Sequence, residues 1–258
     1  MEELDLLASR VADLVLGSRK TVVFTGAGVS TESGIPDFRS PGGLWERYDP
    51  DEFTIDRFLA SPETRRNMWQ MLTGEFFHEV KPNPAHHAIA RLENLGKLDC
   101  VITQNVDDLH QQAGNSRELV LELHGNMRWA LCLSCGTRYP MEHIQERLAA
   151  GVAAPECGQC RGILKPAGVF FGESLPAYEL QEAIRRSRAC DLFIVIGSTL
   201  VVYPAAYMPV YAVEAGARLV IINLMPTPMD RFATVIIKHK AGEALPRIVE
   251  RVAAGLKG

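Results

Sequence analysis

The stretch TVVFTGAGVSTESGIPDFRS, Thr21–Ser40, carries the reading of the fold. Its first five residues are a run of β-branched and aromatic side chains, the composition of a strand buried on both faces. Gly26-Ala27-Gly28 comes next, and a strand that runs into a G-x-G turn lets backbone N–H groups come close to a pyrophosphate. The third glycine of the usual dinucleotide fingerprint is missing, and the chain enters Pro36-Asp37-Phe38-Arg39 instead. No acid stands at a strand end about 20 residues on, where a dehydrogenase would hold the ribose hydroxyls. Glu46 and Asp49 sit in a Gly/Pro-rich loop. The turn alone serves equally as a tight strand-to-helix corner, but the residues after it are more specific. Ser30, Thr31, Ser33, Asp37 and Arg39 crowd hydroxyls and charges beside it, and Gly34, Pro36, Pro41, Gly42 and Gly43 demand loop geometry. An isolated D-x-R would read as a surface ion pair, which leaves Phe38 between the two charges unexplained.

Working outward, runs of the same composition recur at CVITQ (100–104), LVLEL (119–123), LFIVIG (192–197), RLVIIN (218–223) and TVIIK (234–238). Helix-length segments alternate with them. Leu4, Leu7, Val11 and Leu14 recur at helical spacing before Gly17, and residues 83–96 have Asn83 to cap a helix, Pro84 at its first position and Gly96 to stop it. Residues 175–188 and 205–216 have helical apolar spacing as well. This alternation predicts an α/β fold, a Rossmann-like doubly wound parallel sheet. Two segments interrupt it. Residues 41–82 carry Trp45, Tyr48, Phe53, Phe58, Trp69, Phe76 and Phe77 and read as a loop followed by a small helical insertion, while 126–166 contain most of the cysteines. The expected division is 1–40, 83–125 and 167–258 for the Rossmann-like domain, 41–82 for the cofactor loop and insertion, and 126–166 for a metal module.

Four of the six cysteines form the pattern C-x2-C-x21-C-x2-C at Cys132, Cys135, Cys157 and Cys160. Four soft thiolates with no open position suit a closed tetrahedral zinc that cannot activate water, and its expected role is to hold a small module against the sheet. Cys100 and Cys190, at the starts of apolar runs, read as core thiols. Lys+Arg number 27 against 31 Asp+Glu, a formal charge of −4 with no basic block, which argues against a grip on nucleic acid. Arg128, Arg138, Arg147 and Arg161 are too dispersed for a nucleic-acid-binding zinc ribbon. The N-terminus has no positively charged leader region and no long apolar run occurs, so the sequence reads as a cytoplasmic protein without a membrane partner. Nothing in it fixes the oligomeric state.

GAGVSTESGIPDFRS, TQNVDDLHQQAG (103–114), ELHGN (122–126), the two C-x-x-C pairs, FGESLP (171–176), GSTLVVYPAA (197–206) and INLMPTPMD (222–230) resemble, in order and spacing, the signature blocks of the sirtuins. These are NAD-dependent protein-lysine deacylases, and the resemblance spans almost the whole chain in a compact form of bacterial or archaeal type. It implies that Gly26, Ala27, Gly28, Ser30, Thr31, Asp37, Phe38, Arg39, Gly197, Ser198, Thr199, Asn223, Leu224 and Ala241 meet NAD. It further implies that Asp107 and the backbone near Val106 hold the nicotinamide carboxamide, that Asn105 orients a water or the ribose, and that Gln104 contacts a ribose hydroxyl. Read alone, Asp107-Asp108 is a helix N-cap with a first-turn acid. His124 is the expected base: it ends a parallel strand, where such folds bind ligands, and imidazole titrates near neutrality. A lone histidine there would read as structural, as do His78, His86, His87, His110, His143 and His239.

Val169, Phe170, Phe171, Gly172 and Glu173, with Val201, Val202 and Tyr203, resemble the two segments between which sirtuins pair an acetyl-lysine peptide as an added strand. Without the family both segments read as core strands joined to turns. The chain departs from the family at Ala167-Gly168, where relatives usually carry Asp or Asn before an apolar residue, at the Ser198-Thr199 order and at Met225. The resemblance implies a deacetylase that moves the acyl group from lysine to ADP-ribose and releases nicotinamide and O-acetyl-ADP-ribose. The alternatives are mono-ADP-ribosyl transfer to protein, or a non-catalytic NAD-sensing or zinc-ribbon module. Sirtuins that remove acidic acyl groups share a Tyr-x-x-Arg pair in the helical insertion. TRRNMWQMLTGEFFHEV (64–80) has no Tyr and offers Met68 and Met71 near those positions, so acetyl and longer aliphatic groups are expected.

Overall fold

A computed structural model describes residues 2–75 and 80–257; Phe76, Phe77 and His78 lie outside the described residues. The chain starts with helix α1 (Glu2–Gly17) and strand β1 (Thr21–Thr25) and passes through α2 (Ile55–Ala60) and α3 (Pro62–Glu75). Next come α4 (Pro84–Asn94), β2 (Cys100–Thr103), α5 (Leu109–Gln112), β3 (Val120–Glu122), β4 (Gly125–Cys132), β5 (Arg138–Pro140), α6 (Met141–Ala149) and β6 (Leu164–Gly168). The last third contains α7 (Ala177–Ala189), β7 (Leu192–Ile196), α8 (Met208–Glu214), β8 (Arg218–Ile222), β9 (Val235–Ile237) and α9 (Ala241–Gly255).

Each apolar run of the sequence becomes a strand of one parallel sheet, ordered β3-β2-β1-β7-β8-β9. Successive side chains point to opposite faces. Val23 and Ile194 join a core with α1, α4 and α9, while Val22, Phe24 and Phe193 join another with α7 and α8. Burying such side chains contributes roughly 1.5–3 kcal/mol each, which is why the strands need no polar face. Strand order reverses between β1 and β7, so the crevice at their carboxyl ends is the place for a ligand.

The start of α4 ties this sheet to the loop after the glycine turn. The Asn83 side chain accepts from the Ala85 N–H (2.9 Å) and donates to the Val29 carbonyl (2.8 Å) and Ser33 Oγ (3.0 Å). A cap of this kind contributes on the order of 1 kcal/mol, and here it also pins a cofactor-side loop. Cys100 and Cys190 are buried, and burial pushes the Cys190 thiol up to about 12.

The reading available without the family resemblance does not hold, and the packing of the cysteine module is broader than the main sheet. Residues 168–176 and 197–204 are not core strands beyond Gly168: Phe171 makes a single bridge to Thr54, and Gly172, Gly197 and Leu200 take left-handed backbone conformations that leave the ladder. The cysteine module, built on the antiparallel sheet β5-β4-β6, does not lean on the main sheet alone. Its Ala130, Cys132, Met141, Ile144, Cys157 and Leu164 share one core with Phe58, Met68, Trp69, Met71 and Leu72 of the insertion. Among the described residues no helix is long and apolar enough to cross a membrane.

Candidate active site

A cavity of about 350 Å3 opens at the switch point, and segments beyond all six parallel strands line it. Gly26–Gly28 follow β1, Gln104–Asp107 follow β2, His124 follows β3, Gly197–Tyr203 follow β7, Asn223–Met225 follow β8 and His239–Ala241 follow β9. The glycines are required by backbone contact. A Cβ on Gly28 would lie 2.9 Å from the Gly197 Cα, and one on Gly197, at φ 61°, would lie 2.3 Å from the Val29 nitrogen. Two loops thus meet backbone to backbone, with the Gly28 N–H donating to the Gly197 carbonyl at 2.9 Å. Glycines packed this closely present main chain rather than Cβ atoms to the cavity, a surface suited to a pyrophosphate.

Ser30 is the hub of the polar floor. Its hydroxyl donates to Asp107 Oδ2 (2.7 Å) and accepts from Asn105 Nδ2 (3.1 Å), with His86 Nε2 behind it at 3.4 Å. Because His86 Nδ1 accepts from the Asn83 N–H, its proton sits on Nε2 and faces Ser30. Below, His110 Nε2 lies 2.9 Å from Thr25 Oγ1, which donates to Thr103 Oγ1 (2.8 Å), while His110 Nδ1 is buried without a partner among the described residues. Burial holds both histidines neutral, His86 at about 4. They are core residues, as expected from the sequence, yet they underlie the site.

Asp107 Oδ1 caps α5 by accepting from the Leu109 N–H at 3.0 Å, and burial pushes its carboxyl upward. Asp108 stands at the cap position with φ 63° and makes no capping bond; its carboxylate meets Arg128 and Arg117 instead. His124 Nδ1 lies 3.0 Å from the Gln104 carbonyl, which can only accept, so the ring proton sits on Nδ1 and Nε2 keeps its lone pair. Burial lowers the His124 pKa, opposed by that hydrogen bond. The Gln104 amide donates to Ser198 Oγ at 2.8 Å, joining the β2 and β7 loops. Asp37 makes no ion pair with Arg39: its Oδ1 accepts from the Arg39 and Ser40 N–H groups, and Phe38 packs on Trp45 with ring centroids 5.0 Å apart.

Every residue assigned from the sequence to NAD, base or acyl-lysine lines this one cavity, Thr31, Arg39, Val169, Gly172 and Leu224 included. Met68, Met71 and Leu72 close its apolar end beside Phe170. Sequence reasoning missed Trp45, Phe53, Met127, Leu175 and Lys240, and treated His239 as structural although it lines the wall. For His239 and Lys240 the signal was their place just after a parallel strand; the apolar residues carried none.

The Sγ atoms of Cys132, Cys135, Cys157 and Cys160 all lie within 4.8 Å of one another, with Cys132–Cys160 at 3.5 Å and Cys135–Cys157 at 3.6 Å. Four thiolates about 2.3 Å from a central zinc would stand about 3.8 Å apart, so the cluster fits that ion.

The Sir2 family profile matches residues 26–204. NAD-dependent protein deacetylase 1 of Bradyrhizobium diazoefficiens is 48% identical over 238 residues, 92% of this chain and 92% of that protein. NAD-dependent protein deacetylase 1 of Pyrobaculum aerophilum is 46% identical over 253 residues, 97% of this chain and 95% of that one. A solved Sir2 structure with a p53 peptide and NAD+ superposes with a TM-score of 0.87 at 42% identity, covering 96% of this chain and 98% of that one. With a profile match of this extent and relatives this similar along nearly its full length, the chain belongs to the Sir2 family, the sirtuins.

Proposed function

We propose that the protein is an NAD-dependent protein-lysine deacetylase that transfers the acyl group from lysine to ADP-ribose and releases nicotinamide and O-acetyl-ADP-ribose. The observation that carries this is the single cavity joining the glycine cradle, the Ser30–Asp107 floor, His124 and an apolar end. NAD, when bound, supplies an anomeric carbon for the acyl oxygen to attack and a neutral leaving group. The Gly26–Gly28 turn and the Gly197–Thr199 loop hold its phosphates and ribose, and Asp37, Phe38 and Arg39 close over it. Asp107, with the backbone at Val106, holds the carboxamide, and Asn105 orients the ribose or a water. Gln104 reaches a ribose hydroxyl.

His124 Nε2 accepts the ribose-hydroxyl proton. Its Nδ1–H bond to the Gln104 carbonyl fixes the competent tautomer, and its lowered pKa keeps it unprotonated at neutral pH. Val169–Glu173 and Val201–Tyr203 flank an extended acyl-lysine peptide, whose acyl chain ends among Met68, Met71 and Phe170. The four thiolates hold a zinc that maintains the module and takes no part in catalysis. A cytoplasmic location belongs to the same reading, since the cluster needs reduced thiols.

Mass spectrometry of reactions with a panel of acylated peptides tests this. Nicotinamide and O-acetyl-ADP-ribose should form only when acetyl-lysine peptide is present. NAD consumption without peptide, or ADP-ribose attached to protein, would contradict it.

A further inference from the structure

Lys165 is a charged residue where the fold has little tolerance for one. It lies on β6 with 4% of its surface exposed, and burial lowers its pKa despite an acidic neighbour. An ammonium group has three N–H donors, and all three are used: the Pro166 carbonyl at 3.0 Å, the Gly168 carbonyl at 2.6 Å and Glu173 Oε2 at 2.9 Å. The same Glu173 oxygen accepts from the Phe170 N–H at 2.7 Å. Nζ also stands 4.1 Å from the centroid of the Phe170 ring, which packs edge-on against Phe58 at 5.2 Å.

These contacts converge on one short segment. Residues 169–173 have left the β ladder and are held by few backbone bonds to other segments: the Val169 N–H donates to the His124 carbonyl at 2.8 Å, and Phe171 accepts from the Ile55 N–H and donates to the Phe53 carbonyl, both at 3.0 Å. Lys165 grips the segment at its start through a carbonyl, at its middle through the aromatic face and at its end through the carboxylate. Ala167-Gly168, the departure from the family pattern, supplies one of the gripped carbonyls at the end of β6. Hydrophobic packing alone would have been the cheaper way to fill this space, since a buried ion pair gains little net stability over apolar side chains. The gain is geometric.

We infer that Lys165 is a positioning residue for acyl-peptide binding, acting through Glu173 and Phe170 to set the wall against which the acyl-lysine lies. The assignment rests on the deacetylase reading. Its reach is local: no hydrogen bond or ion pair of Lys165 goes to the Gly26–Gly28 turn, to Gln104–Asp107 or to Gly197–Thr199.

Steady-state kinetics on an acetyl-lysine peptide and on NAD, each with the other saturating, separate this role from general stability. Lys165→Met keeps the stem and removes the cation. It should raise the peptide KM about tenfold or more, because Glu173 loses its buried partner, with the NAD KM held within about twofold. Lys165→Arg, which keeps a cation for Phe170 and Glu173, should recover most of the loss. Lys165→Met/Glu173→Gln should be no worse than Lys165→Met, as expected for residues acting as one unit. An unchanged peptide KM, or equal rises in both KM values with a lowered melting temperature, overturns the assignment. Should Lys165→Met fail to fold, Glu173→Gln decides: a raised peptide KM with unchanged NAD KM supports the pair, and an unchanged peptide KM overturns it. A wild-type protein inactive on every acyl peptide defeats the deacetylase reading instead.

Discussion

Exchanging acetyl for succinyl on the lysine of one peptide should lower kcat/KM on the order of 100-fold, and the structure gives the reason. The end of the cavity is built from Met68, Met71, Leu72 and Phe170, all buried. The cations of the insertion and of β6 are already engaged or face solvent. Arg65 Nη1 donates to the Phe58 and Leu59 carbonyls, both at 2.9 Å, Arg66 is exposed, and Lys165 is balanced by Glu173. A carboxylate brought here loses its water and finds no partner, a cost of about 3 kcal/mol even after relaxation. At about 1.36 kcal/mol per tenfold this is roughly two orders of magnitude. Propionyl, by contrast, adds one methylene worth about 0.8 kcal/mol when buried, so its efficiency should lie within about fourfold of acetyl. The assay is product formation from the three acyl forms of one peptide at subsaturating concentration. Comparable efficiency on succinyl and acetyl forms would show that a cation reaches the tunnel, and the apolar-end argument would fall.

His124→Ala should cost at least about 100-fold in deacetylation while NAD affinity, read by calorimetry, is largely kept. In the wild type the neutral imidazole is the active form and its pKa is lowered, so kcat/KM should fall only as pH drops below 6.5; an acid limb above about pH 7 would contradict the base. Cys157→Ala should give zinc-poor protein with a lowered melting temperature, and full zinc with unchanged melting would exclude the thiolate role. His86 is held at about 4 against 6.5 when unfolded, so its stabilising effect is complete above pH 6.5 and is lost as pH falls toward 4. At pH 5 the loss is about 2 kcal/mol, with His110 acting in the same direction. Urea midpoints at pH 7 and 5 should therefore converge in His86→Asn/His110→Gln relative to wild type, and an unaltered gap would refute this.

The sheet was legible because buried parallel strands must be continuous apolar runs, and Asn83, Pro84 and Gly96 mark α4 by capping chemistry that is local in the chain. What failed was whatever depended on distant surfaces. Residues 168–176 and 197–204 are apolar like strands, but Phe171, Val201 and Tyr203 are 43%, 45% and 57% exposed at a cavity rim, so their apolarity serves a ligand rather than a core. No element was marked over 241–255 from the sequence, although Ala241, Ala244, Leu245, Ile248, Val249 and Val252 of α9 keep helical spacing through Pro246. Strand β5 has three residues and β4 shifts register against β6 between Gly125 and Ala130, so this sheet leaves no clean alternation. The glycine turn was readable as a close approach, but its partner Gly197 was assigned only through the family resemblance, because the contact spans the sheet switch.

The two walls of the cavity have different mechanical origins. The side formed by Gly26–Gly28, Gln104–Asp107 and His124 hangs from strand ends whose side chains are buried on both faces, and Ser30 and Asn83 lock its loops to α4 and α5. The side formed by Val169–Glu173 is joined to that frame by the Val169 N–H, which donates to the His124 carbonyl at 2.8 Å, and otherwise rests on different packing. Phe170, Met68 and Met71 belong to the core that also contains Cys132 and Cys157, and the buried ammonium of Lys165, on β6, fastens it. A metal in the cysteine cluster therefore stands outside the chemistry but inside the packing that shapes the acyl pocket. Arg128 of β4 adds a polar tie between the halves, its guanidinium shared by Glu122 and Asp108, the neighbour of Asp107. Changes in the insertion or the metal module can thus reshape what the enzyme accepts while the cradle at Gly26–Gly28 and Gly197, held by its own backbone contacts and by Asn83 and Gln104, stays as it is.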